Sequence, residues 1–183
     1  ALACDPRHVS LAAAGHAAHD MLLWGSRGMG KSALLRSAVA AAQADHAGAL
    51  ALVQIAQDSL GGLSTLFAAL GSIGNRRFLV YIDDLGFEDG DGIGPRRLRP
   101  WLEGGAEARP ANVRLAVTSD RRAMVARHLS EQDDSVNPRD AVDDRLALAD
   151  RFGLSIGFHN CSQDDYLAII GGYTAHYGLD WEQ

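Results

Sequence analysis

The sequence predicts a single α/β domain whose central sheet is built from parallel strands. Three observations support this fold class. A glycine-rich segment at 25–32 lies between a short apolar run and an Ala- and Leu-rich helical segment. The stretch Arg76–Asp84 has four to five apolar residues and ends in two acids, as buried parallel strands often do. Further apolar runs alternate with helical segments, and 183 residues suffice for one domain with a substantial core.

In the first half of the chain, local patterns predict the elements one after another. Val9–His19 is alanine-rich and predicts a helix. Met21–Trp24 predicts the strand before the glycine-rich segment, and Lys31–Ala44 predicts the helix after it. Ala49–Ala56 is a short apolar run bounded by turn residues, which predicts a buried strand. Leu60–Leu70 has apolar residues at helical spacing and predicts a helix that packs on the core.

The second half predicts shorter elements joined by longer connections. In order, these are an acidic loop, a short helix, a strand, a polar loop, a fifth strand and a last helix, at Gly86–Gly94, Pro95–Leu102, Ala111–Ser119, Ser130–Asp144, Phe152–Phe158 and Ser162–Tyr177. Asp120 is a favourable N-cap for a helix that would follow its strand. Ser162 and Asp165 have the spacing of a capping box, which marks the start of the last helix.

Composition excludes several classes of protein. The net charge of −6 argues against binding nucleic acid by charge alone. No apolar run approaches the roughly 18 residues of a membrane helix, and the first residues lack the pattern of a signal peptide, so we expect a cytoplasmic protein without membrane contact. Cys4 and Cys161 are too few for a disulfide framework or a zinc cluster.

Charge is unevenly distributed in the second half of the chain. Residues 94–127 contain eight Arg, whereas residues 131–165 contain nine acids. One interpretation is an ordinary solvated surface, since exposed pairs contribute little to stability. The other is a head-to-tail interface, in which the basic face of one subunit meets the acidic face of its neighbour.

The segment 25–32, GSRGMGKS, matches the phosphate-binding loop G-x-x-x-x-G-K-[ST] in the required context of strand, loop and helix. Its glycines let successive N–H groups face a phosphate, and the following helix adds the positive end of its dipole. Lys31, the only lysine among seventeen basic residues, would reach the β- and γ-phosphates. The predicted nucleotide-binding residues are Gly25, Ser26, Arg27, Gly28, Met29, Gly30, Lys31 and Ser32.

The two acids after the third predicted strand complete this site. The carboxyl ends of parallel strands form the edge where ligands bind in open α/β sheets. Asp83 is placed to hold Mg²⁺ together with Ser32. Asp84 is placed to orient a water molecule toward the γ-phosphate.

Six blocks of sequence, in order, resemble the AAA+ ATPases and within them an uncharacterised bacterial family. The blocks are LLWGSRGMGKS, YIDDLGFEDGD, LEGGAEARPANV, VTSDRRAM, LADRFGLSIGF and SQDDYLAI. The resemblance implies a three-layer α/β core with a five-stranded parallel sheet of order 5-1-4-3-2. It also implies an N-terminal helical segment at 1–20, the core at 21–160, and a C-terminal helix at 161–183 that leads toward a helical lid missing from this chain.

The same resemblance implies roles for individual residues. Residues 25–32 correspond to Walker A, and Asp83 and Asp84 correspond to Walker B. Asp120 corresponds to sensor 1, which positions the attacking water. Arg151 corresponds to the arginine finger, which acts on the nucleotide of a neighbouring subunit; a structural pair with Asp150 or Asp144 is the alternative.

The sequence departs from the AAA+ pattern at two of these positions. Asp84 stands where these proteins usually have Glu, which leaves Glu88 as a reserve candidate. Asp120 stands where Asn is more frequent, and it would place a negative charge near the γ-phosphate unless Mg²⁺ or an Arg compensates.

The expected function is Mg²⁺-dependent ATP hydrolysis by a homo-oligomer, either a ring or a head-to-tail assembly. Two alternatives remain open. One is a switch that binds ATP, hardly hydrolyses it and controls a protein or nucleic-acid partner. The other is a small-molecule phosphotransferase, although no acceptor-site segment supports it.

Overall fold

The computed structural model describes residues 7–14, 16, 18–85, 98–102, 109–120, 150–159 and 161–179. Several sequence predictions lie outside these residues: the loops at 86–94 and 130–144, the reserve acid Glu88, and the helix expected after Asp120. Most arginines of the basic segment, at 96, 97, 121, 122 and 127, also lie outside them.

A five-stranded parallel sheet forms the centre of the domain. Its strands are β1 (Met21–Gly25), β2 (Leu50–Ile55), β3 (Arg77–Ile82), β4 (Val113–Asp120) and β5 (Leu154–Phe158). Their order across the sheet is β2-β3-β4-β1-β5, and every pairing is parallel. The predicted order 5-1-4-3-2 is therefore confirmed. The register places Gly25, at the end of β1, opposite Asp120 of β4 and Phe158 of β5.

The described helices are α1 (Arg7–Ala13), α2 (Lys31–Asp45), α3 (Leu63–Gly71) and α4 (Gln163–Tyr177), with a 3-10 helix at Gln57–Gly62 and a helical segment at 98–102. Helices α1 and α2 pack on one face of the sheet and α3 packs on the other. Alternate residues of a strand point to opposite faces. On β3, Leu79 and Tyr81 belong to the core layer that contains α1 and α2. Phe78, Val80 and Ile82 point to the other face and pack with α3. The three-layer architecture is as expected.

The first helix is shorter than predicted. It ends at Ala13, and the backbone N–H groups of Ala14 and His16 close its last turn. The prediction that the helix continues to His19 was wrong. The carbonyl of Ala18 instead accepts a hydrogen bond from Arg114 Nε at 2.6 Å, which requires the chain to leave the helix and approach β4.

The helix predicted at Leu60–Leu70 is two elements. A 3-10 helix ends at Gly62 and α3 begins at Leu63, so the prediction of one continuous helix was wrong. Adjacent glycines at 61 and 62 explain the break, since glycine disfavours the interior of an α-helix. The apolar spacing nevertheless identified the core residues correctly, because Leu60, Leu63 and Phe67 are buried.

The last helix, α4, begins with the predicted capping box. Ser162 Oγ accepts a hydrogen bond from the Asp165 N–H, and the Asp165 carboxylate accepts one from the Ser162 N–H. The hydrogen bonds that the Asp165 carboxylate accepts from the Ser162 hydroxyl and from the Ser162 N–H lower its pKa below the usual value. None of the helix residues is buried, and the rings of Tyr173 and Tyr177 stack at 6.4 Å on its exposed surface.

Candidate functional site

The glycine-rich loop has the backbone geometry that its sequence requires. Gly25, Gly28 and Gly30 have φ of 139°, 75° and 82°, values that residues with a side chain rarely adopt. A Cβ atom on Gly25 would lie 2.0 Å from the carbonyl oxygen of Phe158, so only glycine fits against β5. Helix α2 starts after Gly30 without a side-chain cap, and its first N–H groups therefore suit an anion.

Lys31 has the least exposed side chain among the described cations of the site. It is 8% exposed, and its Nζ donates to the carbonyl oxygens of Gly25 and Ser26 at 2.9 and 3.0 Å. It also lies 3.1 Å from Asp120 Oδ1. The ammonium group is thus held inside the curve of the loop, next to the end of β4.

Asp83 is oriented by three hydroxyl groups. Its Oδ1 accepts hydrogen bonds from Ser32 Oγ at 2.9 Å, Tyr81 OH at 2.5 Å and Thr118 Oγ1 at 2.8 Å. Arg36 Nη2 lies 3.7 Å from its Oδ2. Burial by itself would raise the pKa of Asp83, but these hydrogen bonds and the charge of Arg36 outweigh it, so the pKa lies below its usual value. Asp83 is therefore ionised at neutral pH.

Asp84 has an unusual backbone conformation. Its φ is 53°, which places a residue with a side chain in the left-handed region. Two contacts hold it there: its N–H donates to Thr118 Oγ1 at 2.8 Å, and Gln57 Nε2 donates to its carbonyl oxygen. Such conformations persist only where the surroundings enforce them, and they concentrate at functional sites.

Arg27 joins the two remaining carboxylates of the site. Its Nε donates to Asp120 Oδ2 at 2.5 Å, and its Nη2 donates to Asp84 Oδ2 at 3.2 Å. The hydrogen bond and charge of Asp120, followed by those of Asp84, raise the pKa of Arg27 above its ordinary value. The Arg27 side chain is 81% exposed, so these contacts lie on the solvent side of the site.

The structure brings together most of the predicted residues. The loop, Asp83, Asp84 and Asp120 meet at the carboxyl edge of the sheet. Asp120 is the last residue of β4, one residue beyond the predicted end of that strand, and its carboxylate contacts Lys31 and Arg27.

Arg151 is not part of this group of side chains. It precedes β5, whose first residue, Leu154, pairs with Met21 at the amino end of β1. The loop follows the other end of β1, about 13 Å away at the usual rise of a strand. Arg151 therefore lies toward the opposite edge of the sheet from the loop of its own chain.

Sequence reasoning missed the supporting residues of the site. Tyr81, Gln57 and Arg36 contact Asp83 or Asp84 but were not singled out. For Tyr81 a signal existed, because residues two apart on a strand share a face and Tyr81 is two residues before Asp83. For Gln57 and Arg36 only the tertiary structure could show the contact.

The geometry of Ser32 and Asp83 fits a magnesium ion. Their oxygens are 2.9 Å apart, close to the separation of about 3.0 Å between adjacent corners of an octahedron with Mg–O bonds of about 2.1 Å. Among the described residues no cluster of three His, Cys, Asp or Glu could hold a metal ion. Phosphate oxygens and water would have to supply the other ligands, as is usual for Mg²⁺.

No helix in the described part of the chain is long and apolar enough to cross a membrane.

The sheet order and the glycine-rich loop define a P-loop fold of the AAA+ type. The chain belongs to the family described as protein of unknown function (DUF815), whose model matches residues 7–183. No curated protein gives a significant match.

Solved structures with a similar fold include two of the replication initiator DnaA. The AMPPCP-bound DnaA from Aquifex aeolicus has 17% identity and a TM-score of 0.50, and the alignment covers 96% of this chain and 51% of that one. DnaA bound to AMPPCP and single-stranded DNA has 16% identity and a TM-score of 0.53, with 97% and 52% covered. The chain thus spans about half the length of the structures that it resembles.

Proposed function

We propose that this protein binds ATP with Mg²⁺ at the loop 25–32 and hydrolyses it slowly as an isolated chain. The observation that carries the proposal is the joint position of Lys31 and the Ser32–Asp83 pair. Lys31 Nζ is held within the loop by two carbonyl oxygens, and Ser32 Oγ lies 2.9 Å from Asp83 Oδ1. This arrangement supplies a cation for the phosphates and an oxygen pair for a metal ion.

The loop and α2 would hold the phosphates through backbone N–H groups, with Lys31 at the β- and γ-phosphates. The chemistry that Mg²⁺ would supply there is neutralisation of the phosphate charge. Ser32 and Asp83 would hold that ion, and the three hydroxyl contacts of Asp83 would keep its carboxylate oriented. Asp84 and Asp120 would orient the attacking water, since both carboxylates lie next to the loop, in contact with Arg27.

Arg151 would act on the nucleotide of a neighbouring subunit in a homo-oligomer. Its place near the amino end of β5 supports this only in that Arg151 lies too far from its own loop to act on the nucleotide bound there. In related nucleotide hydrolases such arginines contribute about 10³ to 10⁵ in rate. Efficient turnover would therefore require assembly.

A second candidate is a switch that binds ATP and hardly hydrolyses it, controlling a partner by occupancy. The contact between Arg27 and Asp84 favours this candidate, because a carboxylate held by a guanidinium is less free to orient a water molecule. Asp84 is also one methylene shorter than the usual Glu. Nucleotide binding without phosphate release above background would decide for the switch.

Mixing two inactive variants tests the hydrolysis proposal. Arg151→Ala keeps an intact loop but lacks the finger, and Lys31→Met keeps the finger but lacks the phosphate cation. We expect each variant alone to release little phosphate, and the mixture to regain part of the wild-type rate as protein concentration rises. A mixture no more active than the sum of its components would contradict action between subunits.

A further inference from the structure

We propose that Arg27 sets the preference of this site for a nucleoside triphosphate over a diphosphate, by neutralising Asp120 and Asp84 beside the terminal phosphate. The inference rests on the proposed function of the loop. In this proposal Arg27 determines which nucleotide the site prefers, in addition to being a residue of the glycine-rich loop.

Among the residues that the structure describes, the charges of the site lie in pairs. Three cations, Arg27, Lys31 and Arg36, face three carboxylates, Asp83, Asp84 and Asp120. Arg36 lies near Asp83 alone, at 3.7 Å. Arg27 and Lys31 therefore carry the charge of the other two acids, and Asp120 is shared between them, with Oδ1 toward Lys31 and Oδ2 toward Arg27.

A bound triphosphate would change this balance. The terminal phosphate needs Lys31, whose Nζ is 3.1 Å from Asp120 Oδ1. Once Lys31 serves the phosphate, the Asp120 carboxylate would face another anion at close range. Repulsion between them would weaken triphosphate binding unless a second cation stays with Asp120. The Arg27 Nε, 2.5 Å from Asp120 Oδ2, is the described cation placed to do so.

The guanidinium is suited to hold two carboxylates at once. Its fork of N–H groups reaches Asp120 through Nε and Asp84 through Nη2. A lysine at this position could keep the charge but could not span both acids in a fixed geometry. A diphosphate lacks the phosphate group nearest these acids, so it gains less from Arg27.

The test measures equilibrium affinities for the non-hydrolysable analogue AMPPCP and for ADP, both with Mg²⁺, on the full chain. We expect Arg27→Ala to weaken AMPPCP binding about tenfold, the effect of one unit charge a few ångströms from a phosphate in a partly solvated site. ADP binding should weaken no more than about twofold. Arg27→Lys should give an intermediate loss for AMPPCP.

Charge removal on the partner gives the rescue experiment. In the double variant Arg27→Ala/Asp120→Asn, AMPPCP affinity should return to within about threefold of the wild type, because the acid that needed compensation is gone. Arg76→Ala, which removes an exposed arginine just before β3, is the matched control and should leave both affinities unchanged.

The outcomes separate the two proposals. If the wild-type chain binds neither nucleotide, the proposed function fails and the inference fails with it. If the wild type binds both, but Arg27→Ala changes them equally or the double variant shows no recovery, only the inference fails. Tighter AMPPCP binding by Arg27→Ala would also overturn it, and would mean that Arg27 obstructs the phosphate site.

Discussion

The two edges of the sheet each carry a cluster of charged side chains, and the clusters differ in what they contact. At the amino edge, Asp20 is 8% exposed; its Oδ1 accepts the Leu115 N–H at 2.8 Å, and its Oδ2 lies 2.6 Å from Arg109 Nη1. At the carboxyl edge, Arg27 and Asp84 are 81% and 54% exposed and contact each other. The charged groups at the amino edge are buried and pair with other groups of the chain. Arg27 and Asp84 at the carboxyl edge are exposed to solvent, where a ligand can contact them.

Arg114, near the amino edge of the sheet, also makes its contacts within the chain. It belongs to the basic segment that the sequence suggested as a subunit interface, yet its guanidinium donates to the carbonyls of Ala18, Ala111 and Val113. Burial and the neighbouring Arg109 lower its pKa. Arg109 and Arg114 therefore make their contacts within the chain. A subunit interface would have to use other arginines of that segment.

The largest change expected from a substitution is at the amino edge. Asp20→Ala leaves Arg109 and the Leu115 N–H without their partner in a buried setting, and we expect the free energy of unfolding to fall by about 3 kcal/mol. Urea denaturation measures this loss. Nucleotide affinity should not change at temperatures where the variant is folded. Asp45→Ala, which removes an exposed acid at the end of α2, should stay within about 0.5 kcal/mol of the wild type. Equal losses for the two variants would contradict the account.

Gly25 ends strand β1 and begins the glycine-rich loop, so Gly25→Ala affects both the fold and the site. The added Cβ would lie 2.0 Å from the Phe158 carbonyl oxygen, which also accepts the Ser26 N–H. We expect a loss of about 2 kcal/mol in the free energy of unfolding, together with weaker nucleotide binding. Gly62→Ala is the control, since no atom lies within 4 Å of its added Cβ. Full nucleotide affinity in Gly25→Ala would show that the loop does not depend on this contact.

A smaller change is expected from Tyr81→Phe, which removes one hydrogen bond to Asp83 and should cost about 1 kcal/mol. The pKa of Asp83 is depressed, so its contribution to stability is present above the unfolded pKa of about 4 and is lost as the pH falls through the lower folded value. Removing the Tyr81 donor raises the folded pKa toward the unfolded value, so in the variant this loss should be smaller and should be complete at a higher pH. Urea unfolding at a series of acidic pH values measures the shift, and identical acid profiles would contradict it.

Much of the fold could be predicted because its signals are local. The glycine loop, the two acids after β3 and the capping box at Ser162 each depend on neighbours in sequence. The strand order followed from the AAA+ resemblance and was confirmed. One error has a local cause, because the glycines at 61 and 62 interrupt a helix whose apolar spacing continues across them. The early end of α1 accompanies a distant contact, the hydrogen bond from Arg114 to the Ala18 carbonyl.

The contacts among the charged side chains could not be predicted in the same way. Arg27 meets Asp120 from 93 positions away in sequence and Asp84 from 57 positions away. Which of many arginines pairs with which acid depends on strand register, and no short pattern encodes it. The left-handed conformation of Asp84 likewise follows from Thr118 and Gln57, which are distant in sequence.

The central claim is that Lys31 and its loop bind the phosphates of a nucleotide. Calorimetric titration of AMPPCP with Mg²⁺ into the wild-type chain and into Lys31→Met tests it most directly. We expect saturable binding to the wild type and at least a hundredfold loss in the variant, because the ammonium of Lys31 is buried and held against the loop by the carbonyls of Gly25 and Ser26. Urea denaturation should show that both chains are folded. No binding by the wild type, or equal binding by the two folded chains, would contradict the account.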